Sequence, residues 1–408
     1  MMLRCGLLGE KLGHSYSPAI HALLADYEYK LYERAPGELE DFLKNGGFDG
    51  LNVTIPYKKA VIPYCAELSD IARRLGSVNT IVRRGDGSLY GDNTDAFGFA
   101  GLVRHSGVDV AGKNTVVLGS GGASATVCAM LGELGAKKVT VLSRHGEYNY
   151  NNLERVADTQ VVVNTTPVGM YPKNGSAAVD LRSFPACEGV LDIVYNPART
   201  ALLLQAEELG LPCAGGLYML VAQAKRSAEL FTGAEIDDAE IPRIRRLMNR
   251  EMQNIVLVGM PGCGKTTVAG LLGEKLGREV LDSDELVQKI SGMSAAEIIR
   301  RFGEDEFRRQ ESAAIAELGK KSGAVIATGG GCVTREENYP LLHQNGTIFW
   351  LQRDLERLPV SNRPLSQRSG LEELYNARRD KYARFADCVV DNNGSLDSTI
   401  AQIMEVLA

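Results

Sequence analysis

Short runs of apolar residues alternate with longer amphipathic stretches along the whole chain. The runs Thr115–Leu118 and Ile255–Val258 are uncharged and nearly continuous, which is typical of strands buried on both faces of a sheet. The stretches between such runs carry apolar residues at helical spacing, and so predict helices with one buried face. Strands that alternate with helices predict an α/β architecture with largely parallel sheets.

The run Ile255–Val258 leads into a glycine-rich turn and then a helix-forming stretch. Residues 259–266 fit the pattern G-x-x-x-x-G-K-T of a phosphate-binding loop (P-loop). Backbone N–H groups of such a loop surround the phosphates, the lysine reaches the β- and γ-phosphates, and the threonine hydroxyl binds Mg²⁺. We therefore predict a site for ATP and Mg²⁺. Its predicted residues are Gly259, Pro261, Gly262, Cys263, Gly264, Lys265, Thr266 and Thr267.

A second glycine-rich turn follows Thr115–Leu118. Its residues are Gly119, Ser120, Gly121, Gly122 and Ala123. The turn departs from G-x-G-x-x-G because Ser124 occupies the third glycine position, but it can still direct helix amides toward a pyrophosphate. The next strand, Lys138–Leu142, ends in Ser143 and Arg144, and an arginine here suits the 2′-phosphate of NADP. These features predict a Rossmann-like site for NADP(H).

The two nucleotide turns and a charged segment divide the chain. Residues 236–253 are rich in charge and a new strand follows directly, so we predict a linker there. We predict an α/β substrate-binding domain at 1–100 and a Rossmann-like NADP-binding domain at 101–214. A P-loop domain, with a parallel sheet flanked by helices, is predicted at 254–408. A helix at about 215–235 has an apolar stripe and is expected to return and complete the first domain.

Composition narrows the classes of partner. The net charge of −6 argues against general nucleic-acid binding, which needs a basic face. The eight cysteines include no C-x-x-C pair, so we expect free thiols in a reducing cytoplasm. The N-terminus lacks the apolar core of a signal peptide, and glycines interrupt the uncharged segment 114–132. We therefore expect no membrane association.

Three polar clusters, at residues 14–18, 50–58 and 91–95, are expected at strand ends or in loops, where catalytic groups concentrate. Each offers the hydroxyl, amide or charged groups needed to hold a polyhydroxy acid. The motifs that carry a family resemblance are Ser15-x-Ser17-Pro18, Asn52-Val53-Thr54-x-Pro56-x-Lys58, Val78-Asn79-Thr80, Asn93-Thr94-Asp95, Asn164 to Met170, Asp192 to Pro197, and Gly216-x-x-Met219-Leu220-x-x-Gln223. With these motifs, residues 1–233 resemble the shikimate dehydrogenase family.

That family reduces 3-dehydroshikimate to shikimate with NADPH. The resemblance implies that Lys58 and Asp95 form the catalytic pair, because an ammonium can neutralise and protonate the oxygen of a ketone as it receives hydride. The substrate-binding residues it implies are Ser15, Ser17, Thr54, Asn79, Tyr195 and Gln223. We also expect cofactor contacts from Thr165 and Gly216. One departure is the segment 145–163, where the family's strand-and-helix excursion is missing.

Three features follow the P-loop. Asp282 and Asp284 end a strand, and phosphoryl transfer needs one carboxylate near Mg²⁺ and one at the attacking hydroxyl. Arg308 and Glu311 share a helix face at i and i+3 spacing. Three successive glycines, residues 329–331, follow an apolar strand and allow a ligand to approach the backbone closely.

This second assembly resembles shikimate kinase over residues 254–408. The resemblance implies that Asp284 binds the hydroxyl that is phosphorylated, that Asp282 lies near Mg²⁺, and that Arg363 closes over the phosphates as a lid arginine. Residues implied to hold shikimate are Arg308, Gly329, Gly330, Gly331 and Arg378. Arg378 is chosen by the spacing R-x-x-x-Y, and the adjacent Arg379 is the alternative.

The product of the first predicted reaction is the substrate of the second. The sequence therefore predicts a bifunctional cytoplasmic enzyme of aromatic amino-acid biosynthesis, which uses NADP(H), ATP and Mg²⁺ on small-molecule substrates. Two alternatives stay open. The first is a quinate-type dehydrogenase, or another P-loop kinase such as a gluconate or nucleotide kinase. The second is that one of the domains is a non-catalytic binding module.

Overall fold

The computed structural model describes residues 2–13, 15–358 and 368–407, with side chains from residue 370 in the last range. The chain divides into two compact units. Unit 1 comprises Met1–Met170, Ser176–Tyr195 and Leu202–Met248. Unit 2 comprises Tyr171–Gly175, Asn196–Ala201 and Asn249–Ala408. Unit 1 contains two sheets and unit 2 contains one, each accompanied by helices. The predicted α/β fold class is thereby confirmed.

The first sheet of unit 1 is mixed. Its strands are β1 (Arg4–Gly9), β2 (Glu28–Glu33), β3 (Gly50–Val53), β4 (Glu67–Leu68), β5 (Thr80–Arg83) and β6 (Leu89–Asp92), in the order β2-β1-β3-β5-β6-β4. The helices in this part are α1 (Ser17–Leu24), α2 (Leu39–Asn45) and α3 (Asp70–Leu75). Strand β5 is antiparallel to both β3 and β6. A tight turn containing Asp86-Gly87 joins β5 to β6, and this pair is a hairpin signal that our sequence reading did not use.

The second sheet of unit 1 is parallel, with strand order β11-β10-β9-β7-β8. Its elements are α4 (Asp95–Ser106), β7 (Asn114–Leu118), α5 (Gly122–Glu133), β8 (Lys138–Leu142), β9 (Val161–Asn164), β10 (Gly189–Asp192), α6 (Ala201–Glu208), β11 (Cys213–Ala214) and α7 (Leu217–Thr232). Helix α7 packs on α1 and α4, and buries Val221, Ala224, Ala228 and Phe231. These apolar residues lie at helical spacing, so one face of α7 is covered.

The sheet of unit 2 is also parallel, with strand order β13-β14-β12-β15-β16. The elements from residue 240 onward are α8 (Glu240–Met252), which begins in unit 1, β12 (Asn254–Val258), α9 (Lys265–Leu276), β13 (Val280–Asp282), α10 (Ser283–Ser291), α11 (Ala295–Phe302), α12 (Glu304–Leu318), β14 (Val325–Ala327), α13 (Asn338–His343), β15 (Gly346–Gln352), α14 (Arg368–Phe385), β16 (Cys388–Asp391) and α15 (Leu396–Leu407). All five residues of the central strand β12 are buried, because helices cover both faces of the sheet.

The predicted linker at 236–253 contains helix α8, and the change from unit 1 to unit 2 falls within it, after Met248. The boundaries predicted for the individual domains stay predictions. Among the described residues, no helix is both long enough and apolar enough to cross a membrane.

Candidate active sites

Unit 1 contains a pocket of about 230 Å³ between polar residues of both its sheets and helix α7. Eight residues predicted as catalytic or substrate-binding line it: Ser15, Ser17, Thr54, Lys58, Asn79, Asp95, Tyr195 and Gln223. These are all the catalytic and substrate-binding residues that we predicted within residues 1–233. The fold brings them together from loops and helices that lie far apart in sequence.

Lys58 and Asp95 form an ion pair in this pocket. Lys58 lies in the turns after β3, and its Nζ is 2.5 Å from Oδ2 of Asp95. Asp95 begins α4, where the positive end of the helix dipole favours a carboxylate. The two side chains are 24% and 14% exposed, so each is partly shielded but still open to a ligand. The arrangement places a proton donor and a carboxylate that orients it side by side.

Asn79 fixes the second oxygen of Asp95. Its Nδ2 donates to Oδ1 of Asp95 at 2.9 Å, while its Oδ1 accepts from the backbone N–H of Thr94 at 2.7 Å. Because a backbone N–H can only donate, this contact determines which way the Asn79 amide points. Asp95 is thereby held from two sides, by Lys58 and by Asn79.

The opposite side of the pocket carries Gln223 and Tyr195. The Nε2 of Gln223 donates to the carbonyl of Leu220 at 2.9 Å, and its Oε1 lies 3.5 Å from Oγ1 of Thr94. Burial raises the pKa of Tyr195, so its hydroxyl keeps its proton and can donate a hydrogen bond at neutral pH. Tyr16 packs edge-on against the Tyr195 ring. The pocket thus offers neutral donors and acceptors around one charged pair.

The glycine turn of unit 1, residues 119–123, lies beside this pocket, and its last residue, Ala123, also lines the pocket. Gly119 has a φ of 101°, and a Cβ there would lie 2.8 Å from Cγ2 of Thr166, so only glycine fits. Thr165 donates its hydroxyl to the carbonyl of Leu118 at 2.7 Å, which ties the end of β9 to the turn. Helix α5 begins at Gly122 and has no side-chain cap. Its amides therefore face the site that a pyrophosphate would occupy.

Ser143 and Arg144 follow β8 as predicted, and Arg144 is exposed. Between β8 and β9 the chain forms a compact loop and one 3₁₀ turn, Leu153–Val156, but no α-helix. Asn149 and Asn152 close the loop, because the Asn149 N–H donates to Oδ1 of Asn152 at 2.8 Å. Hydrogen bonds between polar residues of the loop therefore hold it closed, and Arg144 lies at its start, two residues after β8.

The P-loop of unit 2 connects β12 to α9. Gly264 has a φ of 100° and precedes the first residue of α9, Lys265. The Nζ of Lys265 donates to the carbonyls of Gly259 and Met260, at 2.9 and 3.1 Å. The buried ammonium thus bridges the two sides of the loop. Its partners are neutral carbonyls, which a phosphate can replace as a stronger acceptor.

The Thr266 hydroxyl donates to Oδ2 of Asp282 at 3.1 Å. The other carboxylate oxygen of Asp282 accepts from the N–H of Asp284 at 2.8 Å and so caps helix α10. Thr267 is exposed on the first turn of α9. A hydroxyl and a carboxylate beside a phosphate loop are the oxygen ligands that Mg²⁺ prefers, so this pair fits a bound Mg²⁺.

Arg308 lies on α12 between two carboxylates. It donates to Oε2 of Glu311 at 2.8 Å and to Oε1 of Glu304 at 3.0 Å. Glu311 is fully buried; its burial raises its pKa, which Arg308 partly offsets. Burial lowers the pKa of Arg308, but the two glutamates outweigh this and raise it. The guanidinium therefore stays charged and fixed in direction.

Gly329–Gly331, here called the glycine cradle, touch this cluster. A Cβ on Gly331 would overlap the Arg308 guanidinium, and one on Gly329 would lie 2.6 Å from Oδ1 of Asp284. A Cβ on Gly330 would lie 2.6 Å from Cγ of Pro261 in the P-loop. A Cβ at any of the three positions would displace one of these neighbours. The cradle therefore brings Asp284, Arg308 and the P-loop against one stretch of bare backbone.

Arg378 and Arg379 differ sharply in environment. Arg378 is buried, and its Nη1 donates to the carbonyl of Gly330 at 3.1 Å. Arg379 is exposed and lies 3.6 Å from its neighbour Asp380. The geometry thus places Arg378, the residue chosen by spacing, at the glycine cradle. The predicted lid arginine, Arg363, lies outside the described residues.

Comparison with known proteins connects the pocket of unit 1 to a family. Residues 7–81 match the family model of the shikimate dehydrogenase substrate binding domain. A shikimate dehydrogenase (NADP(+)) of Clostridium perfringens is 38% identical over 253 residues, which cover 57% of this chain and 93% of that protein. The chain belongs to the shikimate dehydrogenase family. A second relative, from Halothermothrix orenii, is 37% identical over 265 residues and 90% of its own length.

Solved structures of the shikimate dehydrogenase family match the same part of the chain. A chorismate mutase/shikimate 5-dehydrogenase fusion protein from Clostridium acetobutylicum is 36% identical with a TM-score of 0.57, covering 61% of this chain and 97% of that one. The Thermus thermophilus enzyme in complex with NADP(H) and shikimate is 31% identical with a TM-score of 0.55, covering 60% and 99%. A quinate dehydrogenase from Corynebacterium glutamicum in complex with NAD is 30% identical with a TM-score of 0.55, covering 60% and 98%.

A second family model covers most of unit 2. Residues 261–408 match the model of shikimate kinase. This range includes the glycine cradle, Arg308 and Arg378. The recognition of a shikimate dehydrogenase followed by a shikimate kinase domain is thus confirmed, whereas the roles of individual residues stay predictions.

One polar residue of the shikimate dehydrogenase pocket stands in a sequence motif but was given no predicted role. Asn52 lines the pocket and is buried, and its Oδ1 accepts from the Tyr29 hydroxyl at 2.7 Å. Its place at the end of β3, two residues before Thr54, was the available signal. Because successive strand residues point to opposite faces, Asn52 and Thr54 lie on the same side of the chain.

Gly331→Ala tests the shikimate kinase site without straining the backbone. The φ of −106° at Gly331 is open to alanine, so the effect comes from the overlap of the new Cβ with Arg308. We expect the KM for shikimate to rise about 10- to 100-fold, which corresponds to one charged hydrogen bond. Gly270→Ala is the control, because a Cβ there meets nothing within 4 Å. Steady-state kinase assays measure both; equal KM values for the two variants would contradict the placement of Arg308.

Arg378→Met and Arg379→Met form a matched pair on α14. We expect the first to raise the KM for shikimate about 10-fold or more, because a guanidinium binds both oxygens of a carboxylate. The second removes an exposed charge and should change KM less than about twofold. Kinase kinetics with varied shikimate measure the difference. A larger rise in KM for Arg379→Met would reverse the assignment.

Proposed function

We propose that the chain is a bifunctional enzyme of aromatic amino-acid biosynthesis. It reduces 3-dehydroshikimate to shikimate with NADPH and then phosphorylates shikimate to shikimate 3-phosphate with ATP. The observation that carries this proposal is the pairing within one chain of a shikimate dehydrogenase pocket, which holds Lys58 and Asp95, with a P-loop domain matching shikimate kinase. The product of one site is the substrate of the other. Such chemistry belongs in the cytoplasm, where NADPH and ATP are supplied.

In the reduction, Lys58 acts on the oxygen of the ketone. NADPH, when bound, would supply hydride for the carbonyl carbon. The Lys58 ammonium stabilises the negative charge that develops on the oxygen and donates a proton to it. Asp95 lies 2.5 Å from Nζ, so it orients the ammonium and can accept a hydrogen bond from a substrate hydroxyl. Asn79, Gln223, Tyr195, Thr54 and the two serines hold the remaining polar groups of the ring.

The glycine turn and Arg144 would hold the cofactor. The uncapped amides at the start of α5 suit the pyrophosphate, and Gly119 has no room for a side chain between it and Thr166. Gly216 makes a similar close approach, because a Cβ there would overlap the carbonyl of Ile193. Exposed Arg144 is placed directly after β8 for a 2′-phosphate. We therefore favour NADP(H) over NAD.

In the kinase reaction, Asp284 binds the attacking hydroxyl of shikimate and accepts or directs its proton. Lys265 exchanges its loop carbonyls for the β- and γ-phosphates of ATP. Thr266 and Asp282 would hold Mg²⁺, which spreads the phosphate charge when bound. Arg308 and Arg378 bind the carboxylate. Arg363 is the proposed lid arginine.

The quinate dehydrogenase among the structural relatives gives a rival function for unit 1. Oxidation of shikimate with NADP and of quinate with NAD, measured under the same conditions, separates the two. We expect kcat/KM for the first pair to exceed that for the second by about 10-fold or more, since a site built for one hydroxyl pattern discriminates against another. A preference for quinate would overturn the assignment of unit 1.

One incubation tests the whole proposal. The full chain is mixed with 3-dehydroshikimate, NADPH, ATP and Mg²⁺, and the products are resolved by mass. Shikimate 3-phosphate is the expected product. Accumulation of shikimate alone would mean that the kinase assignment is wrong, and unchanged 3-dehydroshikimate would mean that the dehydrogenase assignment is wrong.

A further inference from the structure

Four side chains form a buried polar cluster beneath the pocket of unit 1. We call Asn52, Thr80, Thr94 and Ser227 the buried hydroxyl cluster; each is at most 5% exposed. Ser227 lies on α7, one turn after Gln223, and has no exposed surface. The other three come from β3, β5 and the start of α4. The cluster therefore connects α7 to the elements that carry the catalytic pair.

Ser227 is the centre of this cluster. Its Oγ lies 2.7 Å from Nδ2 of Asn52, 2.9 Å from Oγ1 of Thr80 and 3.0 Å from Oγ1 of Thr94. It also lies 2.9 Å from the carbonyl oxygen of Gln223. A serine hydroxyl has one hydrogen to donate and two lone pairs. Four polar neighbours therefore exceed what it can bond at once, and their chemistry decides which contacts form.

Only a few arrangements of hydrogen bonds around Ser227 are compatible with these donors and acceptors. The Gln223 carbonyl can only accept, so it takes the single hydrogen of Ser227, and the Asn52 amide can only donate, so it takes one lone pair. One lone pair then remains for a hydroxyl hydrogen from Thr80 or Thr94. The other threonine can donate to Oδ1 of Asn79, which lies 3.1 Å from Thr80 and 3.2 Å from Thr94, or to the hydroxyl of the first threonine at 3.2 Å. Ser227 thus limits Asn79 to at most one threonine hydroxyl.

Asn79 connects the buried hydroxyl cluster to the catalytic pair. Its Oδ1 already accepts from the Thr94 N–H, and its Nδ2 donates to Asp95, whose other oxygen binds Lys58. Without Ser227, the Asn52 amide keeps only its longer contact to Thr80 Oγ1, at 3.3 Å, and one threonine hydroxyl loses its acceptor in a buried site. The Asn79 Oδ1 is the acceptor within reach of both threonines, so its direction would change.

We propose that Ser227 is a positioning residue for the reduction. By accepting hydrogen bonds from Asn52 and one threonine, it holds the Asn79 amide in the direction that orients Asp95 and Lys58. Ser227 is fully buried and does not line the pocket. The inference rests on the proposed dehydrogenase function, and it assigns a role on α7 beyond the substrate contact of Gln223.

Ser227→Ala tests the proposal. We expect kcat for 3-dehydroshikimate reduction to fall about 10-fold, because small displacements of catalytic groups have large effects on rate, with KM changed less than about threefold. The control is Thr232→Val, which removes a hydroxyl that bonds the backbone four residues earlier on the same helix, at 2.8 Å, but lies outside the cluster. Equal kcat values for the two variants, each normalised to folded protein, would overturn the proposal.

A double variant distinguishes a loss of activity caused by unpaired hydrogen-bond donors from one caused by altered packing. Thr94→Val removes one of the donors that Ser227→Ala leaves without an acceptor, and it leaves Thr80 Oγ1, 3.3 Å from Asn52 Nδ2, as an acceptor for the Asn52 amide. The Thr94→Val/Ser227→Ala enzyme is therefore expected to be about threefold more active than Ser227→Ala alone, since removing both partners is less harmful than removing one. A purely structural role predicts that the losses multiply. If the relative activity of the double variant is at or below the product of the relative activities of the two single variants, the hydrogen-bond explanation is wrong.

A structural measurement keeps the test independent of the substrate. Turnover of 3-dehydroshikimate by the unaltered chain decides the proposed function by itself. Crystal structures of Ser227→Ala and Thr232→Val decide the positioning role whatever the substrate is. We expect the contact between Asn79 Nδ2 and Asp95 Oδ1, 2.9 Å in the native chain, to be lost or lengthened only in Ser227→Ala. An unchanged contact in both variants would refute the positioning role.

Discussion

Replacing Lys58 by alanine is expected to lower kcat for 3-dehydroshikimate reduction by about 10²- to 10⁴-fold, the range that a positioned acid contributes. The Lys58 ammonium is the only cation within ion-pair distance of Asp95 in the described chain. Its loss leaves the developing oxyanion without a proton donor and Asp95 without its counter-charge. Phosphorylation of supplied shikimate should be unchanged. Spectrophotometric assays of NADPH oxidation and of ADP release measure the two activities on one preparation.

Lys59→Ala is the matched control, because Lys59 is the next residue and is exposed. It removes the same charge at almost the same place, and should leave both activities within about twofold, as expected for surface substitutions. A folded Lys58→Ala protein that lost both activities would disprove the independence of the two sites. One that kept its reduction rate would remove Lys58 from the mechanism.

The Asp284→Ala variant is expected to show the reverse pattern. Kinase turnover should fall about 10²- to 10⁴-fold, because the attacking hydroxyl loses the carboxylate that orients it and takes its proton. Reduction of 3-dehydroshikimate should continue, so that shikimate accumulates in the presence of ATP. Product analysis by mass detects this directly as shikimate without its 3-phosphate.

Glu285→Ala controls for the helix position of Asp284. Both acids lie exposed in the first turn of α10, where they interact with the helix dipole, but Asp284 is the one whose Oδ1 lies at the glycine cradle. The control should therefore share any loss of stability and keep its kinase activity. Similar kinase losses in both variants would indicate an effect on α10 rather than on the attacking hydroxyl.

Local pattern was sufficient to predict the two nucleotide turns. The apolar strands β7 and β12, the glycines after them and the helices α5 and α9 are consecutive in sequence, so spacing alone specifies the geometry. The ion pair of Arg308 with Glu311 is likewise local, at i and i+3 on α12. In these cases the interacting residues belong to one short segment.

The pocket of unit 1 could not be assembled from local pattern. Ser15 and Tyr195 line the same pocket, but nothing in their spacing brings them together. Only resemblance to a family grouped them, and the structure places them on the lining of one pocket. The antiparallel direction of strand β5, by contrast, could have been predicted locally. It follows from the hairpin turn at Asp86-Gly87, a sequence signal on which no prediction was based.

Second-layer contacts were not predictable from either source. Ser227 looks like an ordinary small residue on a helix, and its role depends on hydroxyl and amide groups from β3, β5 and α4. The bridge from Lys265 to the Gly259 and Met260 carbonyls similarly depends on the closed shape of the loop. Such contacts are determined by directions of side chains in three dimensions, which sequence periodicity does not contain.

The glycine cradle has a consequence for how this protein can evolve. Backbone atoms alone separate Pro261 of the P-loop from Asp284 and Arg308, and a Cβ at any of the three cradle positions would collide with one of them. That boundary therefore cannot be adjusted by gradual changes of side-chain size. New acceptor specificity in this kinase domain would have to arise through the residues facing the cradle, and in a library of random variants codons 329–331 should retain glycine while open positions such as 270 diversify.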